Sequence, residues 1–410
     1  MQTRDGPLCN LSEARPPASP KLQRGEKGGP RISIIAPTGS HGYPYYIGAC
    51  ARFLEANLDG ILPEPSHLAG VSSGGIAMAS VMPWTRRNMS ILLDVTGNLK
   101  PGDIYEYSSF LKQRLGTIIA LGIADHFTDI LFNKLRKKNR NAAYFLKGME
   151  VFIGIGLEII FLHQFIATPS LFSTKPLKHL LEKNLDFRGI YNSKIRLDLI
   201  TVDRKSGQSE IFSNQLKTEI DFEEWQAYFL DGLLASSSIP GYFPPILRNS
   251  MELVDGGILT SAPIRQARKV NADIIVLLLP RGFNDRGTNG RNGNKSAIEN
   301  LHECWYLTGQ EALRKSVESH QKVNQNILVL KEFLEKEQSE ELRKITDRFS
   351  FSRKKYIPII LVPPDTPIPD MGFQDFDKEG LMVSMEAGYR AMDMAIPKIL
   401  EEVKKLEFSA

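Results

Sequence analysis

The chain has 410 residues, 42% of them apolar and 24% charged, with a formal net charge of +4. At roughly 150 residues per domain this length allows two or three domains, or one large α/β unit with insertions. The composition excludes disordered, collagen-like, coiled-coil and disulfide-scaffold chains. The small positive surplus does not point to nucleic acid, whose binders gather basic residues on one face.

Residues 1 to about 30 are rich in Pro, Gly, Arg and Lys, lack apolar periodicity and read as a flexible tail. The start, Met1-Gln-Thr-Arg-Asp-Gly-Pro, lacks the apolar core of a signal peptide. The expected locations are therefore the cytoplasm, a peripheral membrane site, or the exterior by a specialised secretion system that needs no such signal. Cys9, Cys50 and Cys304 are far apart, with no zinc or redox spacing, so reduced thiols and no metal site are expected.

Residues 31–36 form a short β-branched strand, followed by a glycine-containing turn through Gly42 and an amphipathic helix over about 45–58. A second strand is expected at 66–69 and a small-residue helix at 73–81. Strand, turn and helix repeated in this way predict a parallel sheet covered by helices. A helical insertion or lid is expected over about 100–190. Within it, Lys134 to Arg140 places five basic residues in seven positions, leading through Ala142 to Phe145 into an apolar run at 151–166. That run is shorter than the roughly 20 residues of a membrane span. Glu158, His163 and Gln164 interrupt it, and a central acidic residue alone costs about 2.5–3.5 kcal/mol on insertion. It reads as a buried, interfacial or lid helix. Next to it, the basic cluster either is a solvated helix face or attracts an anionic membrane at about 1 kcal/mol per residue.

Further strands are expected at 194–202, 210–212, 252–254, 273–279 and 357–362. The last contains Pro358, which assigns it to a sheet edge or starts it one residue later. Residues 280–296, with Gly282, Gly287, Gly290 and Gly293, read as an exposed loop. A helical pattern in pieces covers 297–349, and a terminal helix covers 376–406.

The sharpest chemical signal is Gly70-Val-Ser-Ser-Gly-Gly75, between a predicted strand and a predicted helix. Gly-x-Ser-x-Gly in that context is a nucleophile elbow that exposes Ser72 on a strained turn above a helix N-terminus. The same residues also suit a tight glycine turn with an inert serine. A serine nucleophile needs a base. His302 and His320 lie late enough for a Ser–Asp–His triad but sit in a long charged helical stretch. Leu253-Val-Asp-Gly-Gly257 instead ends a short strand with a carboxylate, either a base at the sheet's C-terminal edge or an Asx turn.

Gly70-Val-Ser-Ser-Gly-Gly75 together with Val254-Asp-Gly-Gly257 resembles the patatin-like phospholipases, and Ala235-Ser-Ser-Ser-Ile-Pro-Gly-Tyr-Phe-Pro-Pro245 resembles that family's stretch before the aspartate. The likeness runs from about 31 to 280. It implies a three-layer α/β/α fold with a central, mostly parallel sheet and a helical insertion. One hydrolase unit would span 31–410, with C-terminal helices over about 297–410. It also implies a Ser72–Asp255 dyad, with Gly70, Gly74, Gly75, Gly256 and Gly257 as motif glycines. Gly39, Ser40 and Ser73 would donate N–H groups to an oxyanion, and no cofactor would be required. Phospholipids or other acyl-ester lipids are the implied partners, met at a membrane surface; the sequence names no protein activator.

The first glycine loop, Ala36-Pro-Thr-Gly-Ser-His-Gly42, departs from the pattern. Pro37 and Thr38 replace glycines, and His41 stands as an auxiliary group where the family has a basic residue. Proline has no N–H, and one lost oxyanion donor costs about 2.7–4 kcal/mol of transition-state stabilisation. An impaired scaffold that binds membranes or partners is thus an alternative to the active dyad.

Overall fold

A computed structural model describes residues 29–39, 42–109, 170–215, 221–282, 297–336, 355–369 and 376–408, plus scattered residues between 111 and 156; the side chains of 297–299, 301 and 302 are excepted. The expected tail over 1–28, the loop over 283–296, and most of the insertion with its basic and apolar runs lie outside these residues.

The chain begins with β1 (Ile32–Ala36), α1 (Gly42–Leu58), β2 (His67–Val71), α2 (Ser73–Ser80), α3 (Arg86–Gly97) and α4 (Pro101–Ile104). Two short strands, β3 (Glu106–Tyr107) and β4 (Phe172–Ser173), pair antiparallel apart from the main sheet. Then follow α5 (Lys175–Asn184), α6 (Phe187–Asn192), β5 (Arg196–Asp203), β6 (Gln208–Ser213), α7 (Phe222–Ser236), β7 (Ile246–Arg248) and β8 (Met251–Asp255). The last elements are α8 (Ile264–Lys269), β9 (Ile274–Leu278), α9 (Ala297–Lys336), β10 (Ile359–Val362) and α10 (Lys378–Phe408).

The main sheet runs β10-β9-β1-β2-β5-β8-β7, with β6 also on β5. The pairs from β10 to β5 are parallel, and β6, β7 and β8 join antiparallel. Strand β10 lies at the edge expected of the 357–362 segment and begins just after its Pro358. The strands β1 and β9 are buried on both faces, which is why β9 reads as an unbroken apolar run and β1 as one broken only by the buried Ser33. Their residues divide between two cores by the period of two that a pleated strand imposes. Ile32, Ile34, Ile274 and Val276 join the core that includes α1 and α10, while Ile35, Ile275 and Leu277 join Ala267 of α8 and Leu313 and Val317 of α9. Helices thus cover both faces of one mixed sheet, a three-layer α/β/α arrangement.

Two glycines fix the closest helix contact. A Cβ on Gly48 of α1 would stand 1.8 Å from the Met385 carbonyl oxygen, and one on Gly388 of α10 would stand 2.0 Å from the Tyr45 oxygen. The two backbones therefore touch directly, at a crossing that no larger residue fits.

Sequence periodicity places most elements within a few residues. Helix α1 starts three residues earlier than expected, because Pro44 is tolerated in a first helical turn. Strand β2 runs on through Val71, so Gly70 is a strand residue. Over its described length α9 is a single 40-residue helix, not a set of pieces. The elements α3, α7, β7 and α8 are not among the sequence expectations and are found in the structure.

Gly48→Ala is expected to destabilise the fold by at least about 3 kcal/mol, the upper end of the usual range for overpacking. A lowered urea midpoint with an unchanged slope is the measurement that checks it.

Candidate active site

Strand β5 organises the site. Strand β6 occupies one of its edges over Asp198–Asp203. The other edge is shared: β2 pairs with Arg196–Ile200, ending Val71 against Ile200, and β8 pairs with Thr201–Asp203, ending Asp255 against Thr201. Because β2 is parallel to β5 and β8 antiparallel, their C-terminal ends converge on consecutive residues. The residue after Val71 is Ser72, and the last residue of β8 is Asp255.

Ser72 turns the chain from β2 into α2 with φ 57° and ψ −132°, a conformation rarely adopted by a residue with a Cβ. Two features hold it there. A Cβ on Gly70 would lie 2.3 Å from the Gly74 oxygen, and one on Gly74 would lie 2.3 Å from the Ala36 oxygen, so helix, β2 and the end of β1 meet backbone to backbone. The buried Ser236 hydroxyl accepts the Ser72 N–H at 3.0 Å and donates to the Ile200 carbonyl at 2.8 Å, tying the turn to β5. Gly75 lies against the same Ser236 hydroxyl. The Ser72 side chain is 5% exposed and lines two cavities.

Asp255 is fully buried. Its Oδ1 accepts the Gly257 N–H at 2.7 Å, and its own N–H donates to the Ser238 carbonyl at 3.0 Å. Oδ2 is buried and accepts no well-formed hydrogen bond, although the Ser72 hydroxyl is near enough to favour the charged carboxylate. Burial dominates and pushes the carboxyl from 3.8 up to about 7, against the opposing pull of Ser72 and Gly257. Gly256 has no room for a side chain, since a Cβ would reach within 2.5 Å of the Ile200 oxygen.

The first glycine loop is pinned against the elbow. The Ser73 hydroxyl donates to the Gly39 carbonyl, and the Tyr46 hydroxyl donates to that of Pro37 at 2.9 Å. The Thr38 N–H is engaged with the Ser261 carbonyl at 2.8 Å and its side chain meets Gly257. Pro37 has no N–H, so neither substituted position offers a donor. Gly39 lines a cleft with Ser72, and the Ser73 N–H, at the start of α2, has no partner within its helix. Ser40 and His41 lie outside the described residues.

Ser72 and Ser73 form one end of an apolar cavity of about 1310 Å³, its open mouth included. Ile76, Leu92, Leu177, Leu181 and Phe243 are among its walls. A smaller cleft, which Ser72 also lines, is bounded by Thr38, Gly39, Trp305, Tyr306 and Gln310. Sequence reading did not single out Ser236, Trp305 or Gln310, although the Ala235–Pro245 motif contains the first.

Of the two late histidines, His320 is held away from this arrangement. His320 is buried between α9 and the start of β10, where Nε2–H donates to the Ile357 carbonyl at 2.9 Å and Nδ1 accepts from Arg268 at 3.1 Å. Burial, with the Arg268 charge, lowers its pKa to about 4. The His302 side chain lies outside the described residues. A separate buried chain links Ser33 to His67 at 2.8 Å and His67 to Asp198 at 3.3 Å, at the far end of β2 from Ser72. Its members are at most 1% exposed, so it ties strands together within the core.

The mixed α/β sheet thus carries a strained Gly-x-Ser-x-Gly turn beside a buried aspartate. A profile of the family described as Patatin-like phospholipase matches residues 38–268, more than half of the chain. The chain belongs to the patatin-like phospholipase family. A search among curated proteins finds no match. Among solved structures, that of VipD from Legionella pneumophila is similar, with 12% identity over 95% of this chain and 72% of that one, at a TM-score of 0.34. A likeness that distant carries no weight for fold or function.

The raised carboxyl predicts a pH-dependent stability. Its folded value lies above the unfolded value of 3.8, so the stability of the neutral form is fully present below about 3.8 and is lost as pH rises to about 7. Asp255→Asn, which carries no such charge, is expected to be more stable than the native protein at pH 8. Urea unfolding at a series of pH values should show that advantage shrinking as pH falls from 7 toward 4.

Proposed function

We propose that the chain is a lipid acyl hydrolase, of phospholipase A or lysophospholipase type, with Ser72 as nucleophile and Asp255 as general base. Family membership supports lipid acyl hydrolysis in general. The observation that carries the particular reading is the convergence of β2 and β8 on one edge of β5. It brings the elbow serine beside a carboxyl poised near neutral pH, at the end of an apolar cavity.

In the first step the Ser72 hydroxyl gives its proton to Asp255 Oδ2 while its oxygen bonds to the ester carbonyl carbon. The Gly39 and Ser73 N–H groups hold the resulting oxyanion, with Ser40 as a further donor and His41 as an auxiliary polar group. Collapse breaks the bond to the alcohol oxygen, which takes the proton from Asp255 and leaves an acyl-serine. Water then gives a proton to Asp255 and attacks the acyl carbon. Collapse releases the fatty acid and returns the proton to Ser72. A carboxyl near 7 accepts a proton from serine with less penalty than one near 4, which is the role of its burial. No step requires a metal or an organic cofactor.

Peripheral contact with a lipid surface fits the exposure of Ile258 and Leu259, at 39% and 51%, immediately after the Asp255 loop. Among the described residues no helix is long and apolar enough to cross a membrane. The proposed unit spans 31–410 and acts at the cytoplasmic or another membrane surface. A second reading, a catalytically impaired scaffold, draws on the loss of N–H donors at both Pro37 and Thr38. A Ser–Asp–His triad is the weaker alternative, since both His320 nitrogens are already engaged.

A panel of phospholipids, lysophospholipids, glycerides and simple esters tests the proposal. Native protein is expected to release fatty acid from at least one of them, and Ser72→Ala to lose activity by at least about 1000-fold. Labelling of Ser72 by a fluorophosphonate is expected, and its absence together with absent hydrolysis would favour the scaffold. Activity is expected to rise with pH through about 7 as Asp255 ionises. Ser236→Ala, which leaves the Ser72 N–H buried without its acceptor, is expected to slow labelling about tenfold.

A further inference from the structure

We infer that the face of α9 carrying Trp305, Tyr306, Gly309 and Gln310 is a substrate subsite for the alcohol half of the ester, and that it takes a hydroxyl-bearing alcohol of the glycerol kind. This rests on the Ser72–Asp255 reading above.

Ser72 and Ile239 line both cavities, so the nucleophile stands where the two meet. Their walls differ in chemistry. The large one is lined mainly by leucine, isoleucine, valine and phenylalanine, with a few Ser, Asn and Tyr residues among them, and suits a hydrocarbon chain. The small one, about 370 Å³ with its open side included, is lined by Thr38, Trp305, Tyr306 and Gln310 together with Gly39, Gly309 and Ile239. The two halves of a carboxylic ester leave the carbonyl carbon in different directions. With the acyl chain in the apolar cavity, the alcohol half lies toward the polar cleft. Thr38 touches Gly257, whose N–H binds Asp255, so the cleft adjoins the group that returns a proton to the departing alcohol.

The helix is built to hold this wall in place. At Gly309 it rests on the first glycine loop: a Cβ there would lie 3.5 Å from Thr38 Cγ2 and 3.8 Å from Ser261 Oγ. Further along, Leu313 and Val317 enter the second core. Asn324 donates to the Ile357 carbonyl at 2.6 Å and accepts from Arg268 at 2.8 Å. Trp305 packs on the aromatic cluster of Phe172, Tyr242 and Phe243. A rigid, partly buried indole and a carboxamide offer donors and an acceptor to alcohol hydroxyls without a charge to desolvate. The family match ends at residue 268, so this wall comes from outside the shared segment.

The test compares two esters of one fatty acid, a monoacylglycerol and a methyl ester, which form the same acyl-serine and differ only in what would occupy the cleft. Gln310→Leu is expected to lower the ratio of kcat/KM for the glycerol ester over the methyl ester about tenfold. Gln310→Asn, which keeps an amide, is expected to recover part of that ratio. Trp305→Ala is expected to move the ratio in the same direction as Gln310→Leu, chiefly through KM. Equal losses on both esters, or an unchanged ratio, overturn the subsite while the Ser72–Asp255 reading stands. Failure of the native protein to hydrolyse either ester while it hydrolyses another lipid of the panel overturns the subsite alone. Failure on the whole panel, with no labelling of Ser72, overturns the Ser72–Asp255 reading and the subsite with it.

Discussion

The arrangement depends on a shared strand edge. Because β6 takes the whole of one side of β5 over Asp198–Asp203, β2 and β8 must divide the other, and they arrive from opposite directions. Ladder hydrogen bonds fix where each stops, and a one-residue slip in either would reverse which face its side chains meet. The separation of Ser72 from Asp255 is thus set by backbone register rather than by flexible side chains. Ile200 is the common reference. Its carbonyl accepts from Ser236, which holds the elbow, and closely faces Gly256, which follows the aspartate.

Burial gives this arrangement its chemistry and also its strain. Asp255 sits where its neutral form is favoured, which raises its basicity and leaves one carboxylate oxygen without a well-formed hydrogen bond. Ser72 adopts a backbone conformation that the surrounding contacts must enforce. These local costs, of order 1–3 kcal/mol for such a backbone, are carried by a sheet with strands buried on both faces and a core on each side.

The elbow and the aspartate were legible because their chemistry demands a sequence signature. Backbone contacts as close as those at Gly70, Gly74 and Gly256 admit only glycine, and glycines at fixed spacing can be read directly. Most strands of the main sheet were legible from β-branched runs, and the edge position of β10 from Pro358 just before it. What was not legible is contact between distant segments. That the Thr38 N–H is engaged by Ser261 follows from how two loops dock. That Ser236 holds Ser72 follows from α7 ending beside β5, and its motif shows a serine without showing its partner. The polar wall on α9 was hidden in a charged, amphipathic pattern that resembles an ordinary surface helix, and only packing at Gly309 brings it to the cleft.

The crossing of α1 and α10 at Gly48 and Gly388 has a consequence for synthesis of the chain. The two glycines are 340 positions apart, and β1 also pairs with β9, far along the chain. As the protein leaves the ribosome, the first strand and helix emerge long before the segments that cover them. Their apolar surfaces must stay exposed, or be held by a chaperone, through most of translation. The candidate site, although encoded largely by residues 39–257, therefore becomes rigid only when the late helices have docked.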